Sequence, residues 1–322
     1  MKIICSPLTK NHSNGLLHPE SPERINRLLG LFKGDYSPYI VIPDVMDDID
    51  CGVLAQLHEH DYALNIWNNA KGLTQSPDEK HLTIDNDTSM SNGSFDAIKM
   101  SLQMTLHATK LIKTGAETAC FCATRPPGHH AEYDKAMGFC FYNWVYIAAA
   151  ILTHEDEETC KIPNGKKALI IDFDVHHGNG TDDMVRKACT ANQKNIGFIS
   201  LHEHPNYPGT GLDVPEKQYP ENILNIPYPP HTDSQAFFEL WDGQVLSFIE
   251  RFKPDYLILS AGFDAHIDDP LSEALLQEDD FERMVTSLSP YNLPVLSFLE
   301  GGYNLDALEN CVTAHLDGLI NM

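Results

Sequence analysis

Six short apolar runs, at residues 2–5, 118–123, 168–173, 196–201, 256–260 and 295–299, are spaced along this chain with amphipathic stretches between them. Runs of this length, rich in β-branched and aromatic side chains, suit strands of a parallel sheet covered on both faces. Within 95–113, Ile98, Leu102 and Leu106 recur at four-residue intervals and give one apolar face, as a helix requires. Ser94 is placed to cap that helix and Gly115 to end it, while Ser21 and Pro22 open another. Strands alternating with helices predict a doubly wound α/β fold. Loops at 205–211, 227–230 and 268–270 are rich in Pro, Gly and Asn but too short for domain linkers, so one domain over 1–322 is expected. Such folds bind ligands beyond the carboxyl ends of their strands.

Composition removes several function classes. The 22 Lys and Arg against 46 Asp and Glu give a formal net charge of −24, and 42% of residues are hydrophobic. That is globular rather than disordered composition. The acidity argues against nucleic acid, whose phosphates need a basic surface, and favours a cationic partner such as a basic peptide tail or a polyamine. No stretch approaches the roughly 18 uninterrupted apolar residues of a membrane span, and the first residues lose their apolar character too soon for a signal peptide. The 8 cysteines include no CxxC pair. They read as thiols of a reducing compartment, the cytoplasm.

Four apolar runs end in unusual polar segments. After 168–173 comes Asp172-Phe173-Asp174-Val175-His176-His177-Gly178-Asn179-Gly180-Thr181. Side chains two apart on a strand share a side, so Asp172, Asp174 and His176 are expected to converge, and carboxylate with imidazole is half of a divalent metal site. After 256–260, Ser260-Ala261-Gly262-Phe263-Asp264 offers Asp264 as a third ligand, which leaves an open position as in catalytic zinc. After 118–123, Arg125-Pro126-Pro127-Gly128-His129-His130-Ala131 puts two imidazoles on a stiff loop, able to serve as a general base and a companion. Asp172 and Asn179 are candidate partners that set their tautomers. After 295–299, Glu300-Gly301-Gly302-Tyr303-Asn304 presents a tyrosine hydroxyl to a developing oxyanion. Each segment alone also reads as a polar turn; together they point to one site.

These four segments, in this order, resemble the zinc-dependent histone deacetylase superfamily, which includes bacterial histone-deacetylase-like amidohydrolases. The resemblance runs from about His18-Pro19-Glu20 to the last helical stretch. It implies the arginase–deacetylase α/β domain, with a central parallel sheet and helices on both faces. It implies zinc held by Asp174, His176 and Asp264, His130 as general base with His129 beside it, and Tyr303 as the group that polarises the acyl carbonyl. Phe139 and Tyr207 correspond to the aromatic walls of the acyl-lysine channel, with Gly301 and Gly302 along it. Phenylalanine is common where Tyr207 stands. Asp87 corresponds to the rim residue that binds substrate amides. Asp172, Asp174, His176, Ser200 and Leu201 correspond to a structural monovalent-cation site, usually potassium.

Asn179 and the Glu300–Asn304 segment have the class II form. Leu271 stands at the gatekeeper position where the polyamine-preferring member has Glu, and loop 8–20 is short. The expected activity is therefore hydrolysis of N-ε-acetyl-lysine, in a protein or peptide, to lysine and acetate, with hydroxamates as inhibitors. Hydrolysis of acetylpolyamines or another small amide is the alternative within the family. Arginase-like chemistry with two manganese ions lacks the further carboxylates it needs near His176, and a catalytically idle acetyl-lysine reader is the alternative from another class.

Overall fold

The computed structural model describes residues 1–46, 49–75, 81–155, 160, 162–191, 193–212 and 220–322. Among these residues ten strands form: β1 (Lys2–Ile4), β2 (Ile40–Val41), β3 (Leu82–Thr83), β4 (Ser89–Met90), β5 (Ala119–Cys122), β6 (Ala168–Asp172), β7 (Ile196–Glu203), β8 (Ile223–Tyr228), β9 (Tyr256–Ala261) and β10 (Val295–Leu299). Eight of them make one sheet in the order β2-β1-β5-β10-β9-β6-β7-β8, parallel throughout, while β3 and β4 pair as a small antiparallel ribbon.

The pleat divides the core in two. Phe121, Leu169, Ile171, Leu257 and Leu259 face helices α1 (Pro22–Phe32), α7 (Ser234–Leu240), α8 (Leu246–Phe252), α9 (Glu278–Thr286) and α10 (Leu305–Ile320). Their neighbours Cys120, Cys122, Ile170 and Ile258 face α2 (Gly52–Leu57), α3 (His60–Thr74), α4 (Ser94–Lys113), α5 (Trp144–Thr153) and α6 (Asn179–Thr190). All ten residues of α5 are buried, as befits a helix that is apolar all round. Each fully buried side chain such as Phe121 contributes about 1.5–3 kcal/mol over exposure. The expected single α/β domain, with a parallel sheet between two helical layers, is what forms.

Three details differ from the sequence reading. Two edge strands, β2 and β8, were not foreseen. One is only two residues long, and the other contains Pro227, which a sheet tolerates at its edge because no ladder donor is needed there. The loop expected at 227–230 therefore begins inside a strand. Ser94 is the first helical residue rather than the cap: Gly93 precedes the helix, and the Ser94 hydroxyl accepts from Ser91 N at 2.7 Å and pairs with His12 Nδ1 at 2.8 Å. Among the described residues, no helix is long and apolar enough to cross a membrane.

The neighbours β5, β10, β9 and β6 release their chains at one end of the sheet. All four polar segments lie there.

Candidate active site

β6 stops at Asp172, so Asp174 and His176 lie on the turn beyond it. Strand alternation is thus not what gathers them. Asp172 leaves the group altogether: its Oδ2 sits 3.0 Å from His129 Nδ1, and its Oδ1 accepts the Asp174 backbone N–H at 3.1 Å. Asp174 and His176 converge instead with Asp264, all three buried, with ligand atoms within 4.8 Å of one another. His176 Nδ1 lies 3.0 Å from Asp174 Oδ1 and 3.0 Å from Asp264 Oδ2. The free carboxylate oxygens take backbone donors, Asp264 Oδ1 from Val175 N at 3.0 Å and Asp174 Oδ2 from Gly301 N at 2.8 Å. Glycine is required on both sides. A Cβ on Gly262 would fall 2.1 Å from Asp174 Oδ2, and one on Gly301 would fall 2.1 Å from Asp264 Oδ2.

Two buried carboxylates need positive charge between them. Burial disfavours a charged His176, but Asp264 and Asp174 outweigh it and hold the imidazole well above its usual range. Burial would raise Asp174 too, yet the imidazoles of His129 and His176 hold its carboxyl well below the carboxylate range. Asp264 is raised by burial and by Asp174. A proton on His176 thus supplies the charge that a divalent cation would bring, and one nitrogen with two carboxylate oxygens suits zinc. The residues fit the metal.

The tandem histidines stand with ring centroids 3.9 Å apart yet differ in charge. Burial opposes a proton on His129, but Asp174 and Asp172 prevail and raise it to about 10. His130 is pushed well below the usual value by burial, by His129 and by His176. Its Nδ1 lies 2.7 Å from Asn179 Oδ1, while Asn179 Nδ2 donates to Glu132 Oε1 at 2.7 Å. That second bond turns the amide oxygen toward the ring, so Nδ1 carries the hydrogen and Nε2 keeps its lone pair.

Around this centre stand half-buried aromatic rings. Tyr207 meets His130 edge-on at 5.1 Å and lies 6.3 Å from His176, and Phe139 meets Tyr303 edge-on at 6.0 Å. Phe139 takes a left-handed backbone, φ 68°, and the preceding Gly138 lies so close to His130 that a Cβ would meet its ring at 2.4 Å. Leu271 is joined to the Tyr207 loop, since Asn206 Nδ2 donates to its carbonyl at 3.3 Å. Asp87 Oδ1 accepts from the Thr88 hydroxyl, which itself accepts the Phe139 N–H; both bonds are 3.0 Å. Burial, Asp264 and Asp174 keep the Tyr303 hydroxyl protonated, able to donate. On adjacent strands, Asp172 pairs in register with Ser200, next to Leu201.

A model of the histone deacetylase domain matches residues 18–319. The chain belongs to the histone deacetylase family. It is 30% identical over 364 residues to the type-2 histone deacetylase 2 of Dictyostelium discoideum, covering 98% of this chain and 20% of that protein. It is 33% identical over 325 residues to a Methanothermobacter thermautotrophicus protein named "Probable deacetylase", covering 99% of this chain and 90% of that one. Two crystal structures are similar at 27% identity each. The HDA15 HD domain gives a TM-score of 0.87 over 100% of this chain and 91% of that one. The acetylpolyamine aminohydrolase of Burkholderia pseudomallei gives 0.82 over 99% of this chain and 98% of that one.

This histone deacetylase family member also carries buried charges that its sequence did not mark as site residues. Arg24 donates to the carbonyls of Glu300 and Gly302, and its guanidinium lies 5.1 Å from the Tyr303 ring centroid. Glu20, fully buried, receives Arg125 at 2.6 Å. Asp269 Oδ2 accepts the N–H of Tyr303 at 2.7 Å, and its Oδ1 accepts that of Leu271 at 3.0 Å, so one carboxylate ties the tyrosine to Leu271. Glu300 accepts the N–H of Gly128 and His129. These side chains mostly bind backbone amides and carbonyls, a role with no spacing signature; buried charge is the signal they share.

Proposed function

We propose that this deacetylase-family chain is a zinc-dependent amidohydrolase that cleaves N-ε-acetyl-lysine to lysine and acetate. The observation that carries this reading is His130, its Nδ1 held by Asn179 Oδ1 at 2.7 Å, beside a buried Asp174–His176–Asp264 group. Zinc in that group, when bound, supplies a Lewis acid for the acyl carbonyl and lowers the pKa of water. His130 takes the proton of the attacking water on Nε2 and later passes a proton to the departing amine. His129, held protonated by Asp172 and Asp174, offsets the negative charge that gathers near it. Tyr303 donates its hydroxyl to the carbonyl oxygen as that oxygen gains charge. Phe139 and Tyr207 flank the lysine methylenes, with Gly301 and Gly302 along the same channel, and Asp87 receives substrate backbone N–H groups at the rim. Potassium at Asp172, Asp174, His176, Ser200 and Leu201 steadies the turn that bears the ligands. The buried thiols Cys5, Cys120, Cys122, Cys140 and Cys311 support a reducing location such as the cytoplasm.

One group of three or more metal-ligating side chains occurs among the described residues, which favours one ion over an arginase-like pair. The complete donor set argues against an idle reader. Acetylpolyamine is the second reading, favoured by the likeness to an acetylpolyamine aminohydrolase and by the net charge of −24. The test compares kcat/KM of the zinc-loaded protein for an acetyl-lysine peptide and for acetylputrescine. Preference for the peptide supports the proposal. Preference for acetylputrescine transfers the same chemistry to the small substrate, and activity on neither overturns both.

A further inference from the structure

Glu300 is fully buried, and none of the steps above uses it. It is the first residue beyond β10, and its side chain crosses to the loop that carries both imidazoles. There Oε2 accepts two consecutive backbone N–H groups, Gly128 at 2.6 Å and His129 at 3.1 Å, while Oε1 accepts the Ser260 hydroxyl at 3.3 Å. Its own backbone is pinned on both sides: its N–H donates to Ala261 O at 2.9 Å, and its carbonyl accepts from Arg24 Nη2. The next residue, Gly301, donates to Asp174 Oδ2 at 2.8 Å. One short segment therefore touches a candidate metal ligand through its backbone, the tandem-histidine loop through a carboxylate, and ends at Tyr303.

We infer that Glu300 is a positioning residue that sets the placement of His129 and His130 relative to Asp174 and Tyr303, and that it does so by the reach of its acceptor oxygen. Because the backbone of residue 300 is held, an acceptor one methylene shorter cannot follow the loop, and Gly128 N and His129 N then lose their partner in a site without water access. The loop relaxes, and the imidazoles move with it. A displacement of about 1 Å in a catalytic group costs on the order of 100-fold in rate. The inference rests on the deacetylase reading for its effect on turnover but not for its effect on the loop.

Two variants separate reach from charge. Glu300→Gln keeps the length and one acceptor oxygen, and its amide can donate to Ser260 Oγ; Glu300→Asp keeps the charge and withdraws the oxygen. Two quantities are measured on each full-length zinc-loaded variant: steady-state kinetics, and hydrogen exchange of the peptide spanning 125–131. Glu300→Asp is expected to speed exchange at Gly128 and His129 and to lower kcat about 100-fold, with KM and zinc content unchanged. Glu300→Gln is expected to keep slow exchange and a kcat at least about tenfold above that of Glu300→Asp. A Gln variant as impaired as the Asp variant, or wild-type turnover in both, overturns the inference. If Glu300→Asp does not fold, fast exchange in Glu300→Gln overturns it alone. Should the wild-type protein hydrolyse no acyl amide, the deacetylase reading fails, and the exchange comparison still decides the role of Glu300.

Discussion

The candidate metal-binding half of the site and the proposed wall of its channel are built on different principles. Asp174, His176 and Asp264 follow β6 and β9, which neighbour each other in the sheet with Asp172 opposite Ser260. Their side chains are buried, and glycines hold the opposing backbone against their oxygens. Phe139, Tyr207, Leu271 and Asp87 lie on loops, half-buried, fastened to one another by single bonds such as Asn206 to the Leu271 carbonyl and Phe139 N to Thr88. The groups proposed to meet one ion stand where backbone freedom is least. The groups proposed to meet a variable substrate stand on loops, which a rigid scaffold presents and mutation can alter cheaply.

The contrast can be broken experimentally, beginning with its strongest consequence. Asp264→Ala removes a candidate ligand and leaves only one carboxylate and one imidazole to hold the ion, so zinc and all measurable turnover should be lost; metal analysis showing full zinc would refute the assignment. Tyr303→Phe removes one donor from the oxyanion and should lower kcat about 100- to 1000-fold with zinc content unchanged; wild-type turnover would end that role. The metal half should also respond to pH. In the metal-free protein His176 is buried, yet Asp264 and Asp174 keep it protonated at neutral pH, so an incoming ion must expel that proton. Zinc affinity should accordingly rise with pH through neutrality, as read by competition with a chromophoric chelator; a flat profile contradicts the charge state. The wall should be far more forgiving. Tyr207→Phe removes a hydroxyl and keeps the ring, and kcat/KM for an acetyl-lysine peptide should stay within about twofold. A loss as large as that of Tyr303→Phe would mean that the wall takes part in the chemistry.

The two halves also differed in how far they could be read beforehand. Asp174, His176 and Asp264 were visible because acidic residues and an imidazole ending apolar strands are costly unless they share a partner. Strand alternation led to the expectation that Asp172 converges with Asp174 and His176, whereas the strand ends at that residue and its carboxylate turns to His129, as expected of a partner that sets the tautomer. Phe139, Tyr207, Leu271 and Asp87 have no spacing of their own, since loops that meet only in the folded chain leave no periodic trace; family resemblance alone pointed to them. Glu300, Asp269 and Arg24 were missed as site residues for a related reason. Their partners are main-chain groups, which every residue has. In the sheet, the six interior strands were legible from apolar runs, while β2 was too short to register and Pro227 disguised β8.

The position of β10 bears on how the protein can be made. This strand, Val295–Leu299, lies between β5 and β9 and joins β2-β1-β5 to β9-β6-β7-β8 in the sheet. A chain cut before residue 295 lacks the strand that joins β5 to β9, and with it Tyr303 and the Gly301 amide that braces Asp174. Assembly of the centre waits until residues 295–303 have been added, and a chain without β10 leaves the edges of β5 and β9 in need of protection from one another and from neighbours.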